Sequence, residues 1–552
     1  MEDHRRINSK RDRVIKDYDS AISRNNEMYL DGDERASEQY IYENQKIDAH
    51  KIVSEFMDHG RLIVSVIKKT KVGMDGLMIE VAKLMSTHPD DNLVINYQNV
   101  VFITPMNNVS WETTLKDKVP YCFKENIFHH GQMKKSILNR PNSLIFFDEI
   151  DVANGEDMVL HELLKESKIL DVNYLKANNI RIMCGSATMI KELYDLHNWG
   201  PFHSSIRMTI PKEYIGHVDF LELGIIKESY SMNTIETATK WITEDILDNY
   251  GNDYRVHIAR LTNKDFLEEV CAKNGIKFFV HNADNKLSRL PRETLKRLFE
   301  QPLSNHVVIV VKKFWCRADL IPNLWKLRVG ATHEQYTKTV DYNVQIQGLP
   351  GRMSGFWRTL LESGHKTGPY RTSIKAVEAN EKIYNDPFGA NSYQCSGFKK
   401  NEGIVKQQRC TFLSSRNVEG VEDIPLPKVE NDKIGDRRNV NLDRLEQEVL
   451  GYLELEIIPE PNGLGSCKMN RNGFYISTKY CARIDKTIIR KKCANPDNYV
   501  IVSESELDKT GLGKNISMIE NNCKLIFIPY YTDTTDASTL MWCCRFFKAL
   551  KK

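Results

Sequence analysis

The tetrad Asp148-Glu149-Ile150-Asp151 directly follows the apolar run Leu144-Ile145-Phe146-Phe147. Such a run reads as a strand buried on both faces, and a carboxylate at its C-terminal end stands in the crevice where parallel α/β sheets bind ligands. There Asp148 is placed to hold Mg²⁺ through its water shell, and Glu149 to orient or deprotonate a water attacking a terminal phosphate. Taken alone, the same residues also suit an acidic loop capping the next helix. A second candidate is Cys184-Gly185-Ser186-Ala187-Thr188, after the apolar pair at Ile182 and Met183. The hydroxyls of Ser186 and Thr188 suit coupling between bound nucleotide and domain movement, and equally an ordinary N-cap. A third is Gln347-Gly348-Leu349-Pro350-Gly351-Arg352. A Gln and an Arg on a glycine-rich turn suit a finger that reaches a phosphate across a domain cleft.

These residues need a scaffold that alternates strands with crossover helices. Leu62 to Ile67, Val100 to Thr104, Leu144 to Phe147 and Ile182 to Met183 are short apolar runs separated by helical patterns. That alternation predicts a parallel α/β domain over residues 38–215. Val256 to Ala259, Lys277 to His281 and Val307 to Val311 predict a second over 216–363. Residues 1–37 are charged and read as a mobile arm with at most a short helix around Val14, Ile15, Tyr18 and Ile22. Residues 364–439, with Gly368-Pro369, Asp386-Pro387 and Pro425-Leu426-Pro427, read as linker and loops. Residues 440–552 open with a helical pattern at Leu442, Leu445, Val449 and Leu450 and turn rich in β-formers, so a small α+β appendage is expected.

In this order the motifs resemble those of the superfamily-two helicases, the DExD/H-box nucleic-acid translocases, over residues 40 to 360. Asp148-Glu149-Ile150-Asp151 resembles the Walker B box, Ser186-Ala187-Thr188 the coupling motif, and Gln347 to Arg352 the last Gln and Gly-Arg motif. The resemblance implies two tandem RecA-like domains of the P-loop NTPase type, ATP and Mg²⁺ as cofactors of an active enzyme, and DNA or RNA as partner. It further implies that Gln45 reads adenine, that Asp148 and Glu149 are catalytic, and that Arg352 stabilises the transition state. Gln347 also lines the nucleotide, while Thr104, Lys313 and Arg317 touch nucleic acid. The wording Ile103-Thr104-Pro105-Met106, with Trp111 following, is similar to helicase-like proteins of large nucleocytoplasmic DNA viruses, and implies transcription, replication or virion proteins as further partners.

The sequence departs from this pattern where phosphate should bind. Between the strand ending at Ile67 and the helical run Leu77, Met78, Val81, Ala82 and Met85 lie Lys68-Lys69-Thr70-Lys71-Val72-Gly73-Met74-Asp75-Gly76. Setting Gly73 at the second glycine of the pattern Gly, four residues, Gly-Lys-Ser/Thr puts Lys68 at the first glycine, Met74 at the lysine and Asp75 at the Mg²⁺-binding hydroxyl. Met74 cannot neutralise phosphate, and Asp75 puts a negative charge beside it unless a metal ion intervenes. Lys68, Lys69 and Lys71 are the cations left to reach phosphate, with Lys71, Gly73 and Asp75 lining the loop. In the last motif, Gly355 stands where a second Arg is expected. Weak or absent ATP hydrolysis follows.

Composition narrows the class without choosing a function. The 77 Lys and Arg nearly balance 74 Asp and Glu, with 41% hydrophobic residues, as in folded globular chains. A net charge of +3 gives no global attraction to nucleic acid, so binding must come from local stripes. One such stripe is Lys479, Arg483, Lys486, Arg490, Lys491 and Lys492, interleaved with Tyr475 and Tyr480. No apolar run approaches the roughly 20 residues of a membrane span, and the charged start at Met1 to Lys16 lacks a secretory h-region, so an intracellular protein away from membranes is expected. The 12 cysteines show no knuckle spacing, and His129-His130 lacks a third ligand at fixed spacing, so neither predicts a metal site. Three functions stay open: a helicase-like nucleic-acid-binding protein with an impaired ATP cleft, an active helicase, and a structural or virion protein that keeps the fold.

Overall fold

A computed structural model describes residues 2–33, 35–106, 109–152, 159–282, 287, 293–312, 315, 317, 320–338, 340–389, 392, 395, 398–401, 404–407, 467–469, 475–477, 499–503, 523–531 and 540–548. Residues 1–397 with 408–425 make one compact unit, and 398–407 with 426–552 another.

The first unit holds two parallel sheets. In the first lobe, β1 (Ile63–Ile67), β2 (Val100–Thr104), β3 (Ile127–His129), β4 (Ser143–Asp148), β5 (Ile180–Ser186) and β6 (His203–Arg207) lie in the order β3-β2-β4-β5-β1-β6. All pairs are parallel. Strand side chains alternate between faces. Leu144 and Phe146 of β4 therefore enter one core layer with Val64, Phe102 and Leu77, while Ile145 and Phe147 enter the other with Ile63, Val101 and Ile182. The edge strand β6, His-Ser-Ser-Ile-Arg, buries least.

The short β7 (Tyr214–Ile215) leads into the second lobe. Its sheet comprises β8 (Ile226–Glu228), β9 (Val256–Arg260), β10 (Lys277–His281), β11 (Val307–Val311) and β12 (Val329–His333). After β13 (Gly355–Phe356), which pairs antiparallel with β7, β14 (Tyr370–Thr372) completes the order β10-β11-β9-β12-β14-β8. All its pairs are again parallel. Val307, Ile309 and Val311 face one core layer, Val308 and Val310 the other. Two such sheets with helices in one chain are the tandem RecA-like α/β architecture.

Two expectations are corrected. Residues 2–30 are not a mobile arm but one helix, α1 (Glu2–Leu30). Val14, Tyr18 and Ala21 recur at helical spacing and bury against the first lobe, where Tyr18 Oη donates to Glu80 at 2.5 Å and Arg11 pairs with Asp91 at 2.7 Å. The stretch 364–439 is not linker throughout either. Tyr370–Thr372 is an inner strand of the second sheet, and the helix Ile374–Asn385 follows it. Its end returns to the first lobe, where Tyr194 Oη donates to the Phe388 carbonyl at 3.0 Å and the two rings meet edge to face.

In the second unit the described residues are strands. Residues 398–401 pair with 404–407, 467–469 with 475–477, and 540–548 lies between 499–503 and 523–531. The helical pattern at Leu442 to Leu450 and the basic stripe at 479–492 lie outside the described residues.

Candidate functional site

Strand β1 delivers the chain into the loop 68–73, and Gly73 caps α2 (Met74–Ser86) in a left-handed conformation, φ 98°. Lys68, the first residue past the strand, turns inward. Its Nζ lies 3.1 Å from Asp148 Oδ1 and 3.4 Å from Glu149 Oε1, and all three side chains are buried. The other Asp148 oxygen accepts from Trp111 Nε1 at 3.0 Å. Burial opposes the charge on Lys68, but Asp148 and Glu149 together hold its ammonium above the ordinary lysine range. Burial raises the Asp148 carboxyl; Lys68 opposes this and Glu149 adds to it.

Met74 is buried against β5, so close that a Cβ on Gly185 would stand 2.8 Å from its methyl. Asp75 turns away to Lys118 at 2.8 Å; burial pushes its carboxyl up, but Lys118 outweighs that and holds it below the ordinary range. Lys71, at φ 58°, has its amine driven well down by burial and then by the charge of Arg352. Gln45 is turned into the loop: its Nε2 donates to the Gly73 carbonyl at 2.6 Å, and its Oε1 accepts from the Tyr42 amide at 2.8 Å. Both amide ends of Gln45 thus bond the backbone around the loop. Tyr42 in turn stacks on Phe356 of the second lobe, ring centroids 4.1 Å apart. A Cβ on Gly76 would meet the Gln45 carboxamide at 2.5 Å. Gly76→Ala is expected to cost about 1–3 kcal/mol by overpacking, read as a lowered urea midpoint, and an unchanged midpoint contradicts this packing.

The motifs of the second lobe complete the cluster. Gln347 Nε2 donates to Glu149 Oε2 and Thr188 Oγ1, both at 3.2 Å, and Gln347 Oε1 accepts from Arg352 Nη2 at 3.1 Å. Ser186 Oγ reaches Glu149 at 3.5 Å, and Thr188 Oγ1 donates to Asp151 at 2.7 Å. Glu334 fixes the turn that carries Gln347 and Arg352: it accepts from the Leu349 amide at 2.6 Å and pairs with Arg260 at 2.8 Å. Asn343 Nδ2 donates to the Thr188 carbonyl at 3.2 Å.

Asp148, Glu149, Ser186, Thr188, Gln347 and Arg352, spread over more than 200 residues of sequence, thus form one buried network across both lobes. Two residues assigned to nucleic acid are placed otherwise. Arg317 pairs with Asp151 at 3.0 Å and Glu149 at 3.5 Å, inside the network, because the chain turns left-handed there at φ 48°. Thr104 is fully buried, its hydroxyl accepting from the Met106 amide at 3.4 Å, and presents no surface to a ligand. Lys313 lies outside the described residues. Sequence reasoning missed Trp111 as a carboxylate donor and Glu334 as the brace of the turn. Only the apolar spacing around Trp111 signalled burial, and nothing local marked Glu334.

Magnesium does not fit this arrangement. Both oxygens of Asp148 and both of Glu149 accept from protein donors, and no hydroxyl stands at the first turn of α2. Among the described residues no group of three or more His, Cys, Asp or Glu side chains could hold a metal ion, and no helix is long and apolar enough to cross a membrane.

No family model matches the sequence, and no curated protein matches it. Solved structures are similar in part. Saccharomyces cerevisiae Dbp5 bound to RNA and ADP BeF3 is 11% identical, covering 63% of this chain and 92% of that one, with a TM-score of 0.36. A DEAD box protein from Methanococcus jannaschii is 14% identical, covering 63% of this chain and 96% of that one, with a TM-score of 0.33. The two-lobed reading stands on the sheets and their pairing.

Proposed function

We propose that this chain is a helicase-like nucleic-acid-binding protein with an impaired ATP cleft. One observation carries the reading: the motif residues of both lobes converge on a single buried network, yet Met74 fills the lysine position and Lys68 occupies the carboxylates that would serve a metal ion. A network that joins the lobes without nucleotide suits a fixed binding platform better than a motor, whose stroke needs the lobes to part and close with each turnover. Asp148, Glu149 and Arg352 are then positioning residues of the interface. Transcription or genome handling of the kind found in large DNA viruses is the setting proposed from the wording at Ile103 to Met106.

The test is ATP hydrolysis by the full chain with and without single- and double-stranded nucleic acid, beside a salt titration of nucleic-acid binding. Expected are no stimulated hydrolysis, no difference in Glu149→Gln, and binding that weakens steeply with salt as phosphate contacts release counterions. Hydrolysis that Glu149→Gln abolishes establishes a motor and overturns the impaired cleft. Absence of binding at low salt overturns the nucleic-acid partner.

A further inference from the structure

We propose that the three-stranded sheet of the second unit binds single-stranded nucleic acid on one of its faces, with Lys524 and Arg545 against the phosphates and Tyr499, Phe547 and Tyr530 against the bases. The site goes beyond the proposed function, which rests on the first unit, and needs neither of its lobes.

Backbone pairing fixes which residues share a face. The strand Leu540–Lys548 lies between Tyr499–Ser503 and Cys523–Tyr531 and runs antiparallel to both. Residues directly opposite each other in such a pair share a face, and neighbours along a strand alternate between faces. On one face Lys524 stands opposite Phe547, Arg545 opposite Tyr499, and Tyr530 opposite Met541. On the other, Leu525 stands opposite Phe546, Phe527 and Val500 flank Cys544, and Pro529 and Val502 flank Trp542.

The two faces differ in charge. The three strands contain no Asp or Glu, and their cations are Lys524, Arg545 and Lys548. Lys548 belongs to the second face but is the last residue of its strand, so the rows from Leu525 to Trp542 are apolar throughout. A continuous apolar face is the one an antiparallel sheet packs on its core. Packing the first face there instead would desolvate Lys524 and Arg545 with no carboxylate on any of the three strands to pair with them. The face that carries both cations is therefore the one available to a ligand.

Register supplies the ligand's chemistry. Each of two aromatics stands opposite a cation, Phe547 opposite Lys524 and Tyr499 opposite Arg545, and the two aromatics are diagonal neighbours roughly 7–8 Å apart. A nucleic-acid strand repeats the same pairing, a flat base beside each phosphate. Unpaired bases offer their faces to aromatic rings while the backbone is held by cations, and stacking of this kind tolerates any base. A duplex keeps its bases stacked on one another, and an anionic lipid surface offers charge without flat faces. With a net charge of only +3 on the whole chain, binding must come from a local patch such as this one, where no carboxylate repels the phosphates.

The experiment is ultraviolet crosslinking of oligo(dT) to the full chain with peptide mapping, beside anisotropy titrations of labelled oligo(dT) over a salt series. Crosslinks on 499–503, 523–531 or 540–548 are expected. Tyr499→Leu should lose about tenfold in affinity while Tyr499→Phe keeps it, because the ring and not the hydroxyl stacks. Lys524→Gln should lower the salt slope by roughly 0.7–1, the share of one phosphate contact. The urea midpoint of each variant is measured alongside; if Tyr499→Leu fails to fold, the crosslink map and Lys524→Gln, which lies on an edge strand, still decide. Crosslinks that avoid all three strands, or folded Tyr499→Leu and Lys524→Gln variants that bind as the parent does, overturn the site. Crosslinks confined to residues 1–397 remove it and leave the proposed function standing, whereas crosslinks confined to the sheet support it and remove the platform of the first unit. Vesicles of phosphatidylserine that bind the chain while oligo(dT) does not overturn it in favour of a lipid surface.

Discussion

Asp245→Ala is expected to destabilise the second lobe by about 3–5 kcal/mol. Asp245, on the π-helical turn Trp241–Leu247, is 2% exposed and accepts from Arg371 of β14 through both oxygens, Nε at 2.5 Å and Nη2 at 2.9 Å. Arg371 Nη1 donates to the Glu228 carbonyl at 3.2 Å, and the guanidinium lies over the Tyr230 ring at 4.8 Å. The pair thereby joins β8, β14 and the helical layer. Removing the carboxylate leaves a largely buried guanidinium with only the half-exposed Glu244, 3.9 Å from its Nη2, as counter-charge, which costs far more than the pair gains over a hydrophobic equivalent. The urea midpoint, followed by fluorescence that includes the buried Trp241, reads the effect. Asp245→Leu with Arg371→Met should recover most of the loss, because neither charge then stays buried alone. A single variant within about 1 kcal/mol of the parent would show that water reaches the site.

Acidification should act on the fold as strongly. Burial holds His203, His217 and His333 down at about 3, and His257 well below the ordinary imidazole range. The His257 site shows why. Its Nδ1 accepts from the Ala331 amide at 2.9 Å, and its Nε2 meets His306 Nδ1 at 3.1 Å, so a second proton has no acceptor. Each of these groups titrates near 6.5 once unfolded, and the native state refuses the proton. Above 6.5 they carry no penalty; as the pH falls from 6.5 towards 3, the unfolded state alone is protonated and stability falls. At about 1.4 kcal/mol per pH unit for each group, four histidines lower stability by roughly 5 kcal/mol between pH 7 and 5.5. Thermal unfolding at the two pH values checks this, and equal midpoints contradict a neutral burial of these rings.

The strands of both lobes that read clearly from sequence are the ones buried on two faces. Leu144 to Phe147 and Val307 to Val311 are unbroken apolar runs, and no other element satisfies them. β6, β8 and β14 were not legible, since His-Ser-Ser-Ile-Arg, Ile-Lys-Glu and Tyr-Arg-Thr owe their place to the partner strand rather than to their own pattern. The N-terminal helix was legible only as a short apolar spacing, because its charged faces outweigh Val14, Tyr18 and Ala21 in any compositional view.

The sequence by itself determined the two-lobed scaffold, the order of its motifs and the residues that stand at Met74 and Asp75. Periodicity, spacing and residue identity are local properties, visible without coordinates. Which lysine of the loop reaches the carboxylates was decided by the tertiary structure. Lys68, Lys69 and Lys71 are near-equivalent in sequence, yet only the turn after β1 sends Lys68 onto Asp148 and Glu149, sends Lys69 outward to Glu381 at 2.6 Å, and leaves Lys71 beside Arg352. The same holds for Arg317, Trp111 and Gln45. Long side chains choose partners by reach and by the cost of leaving a buried charge or amide unpaired, and those partners lie far away in sequence.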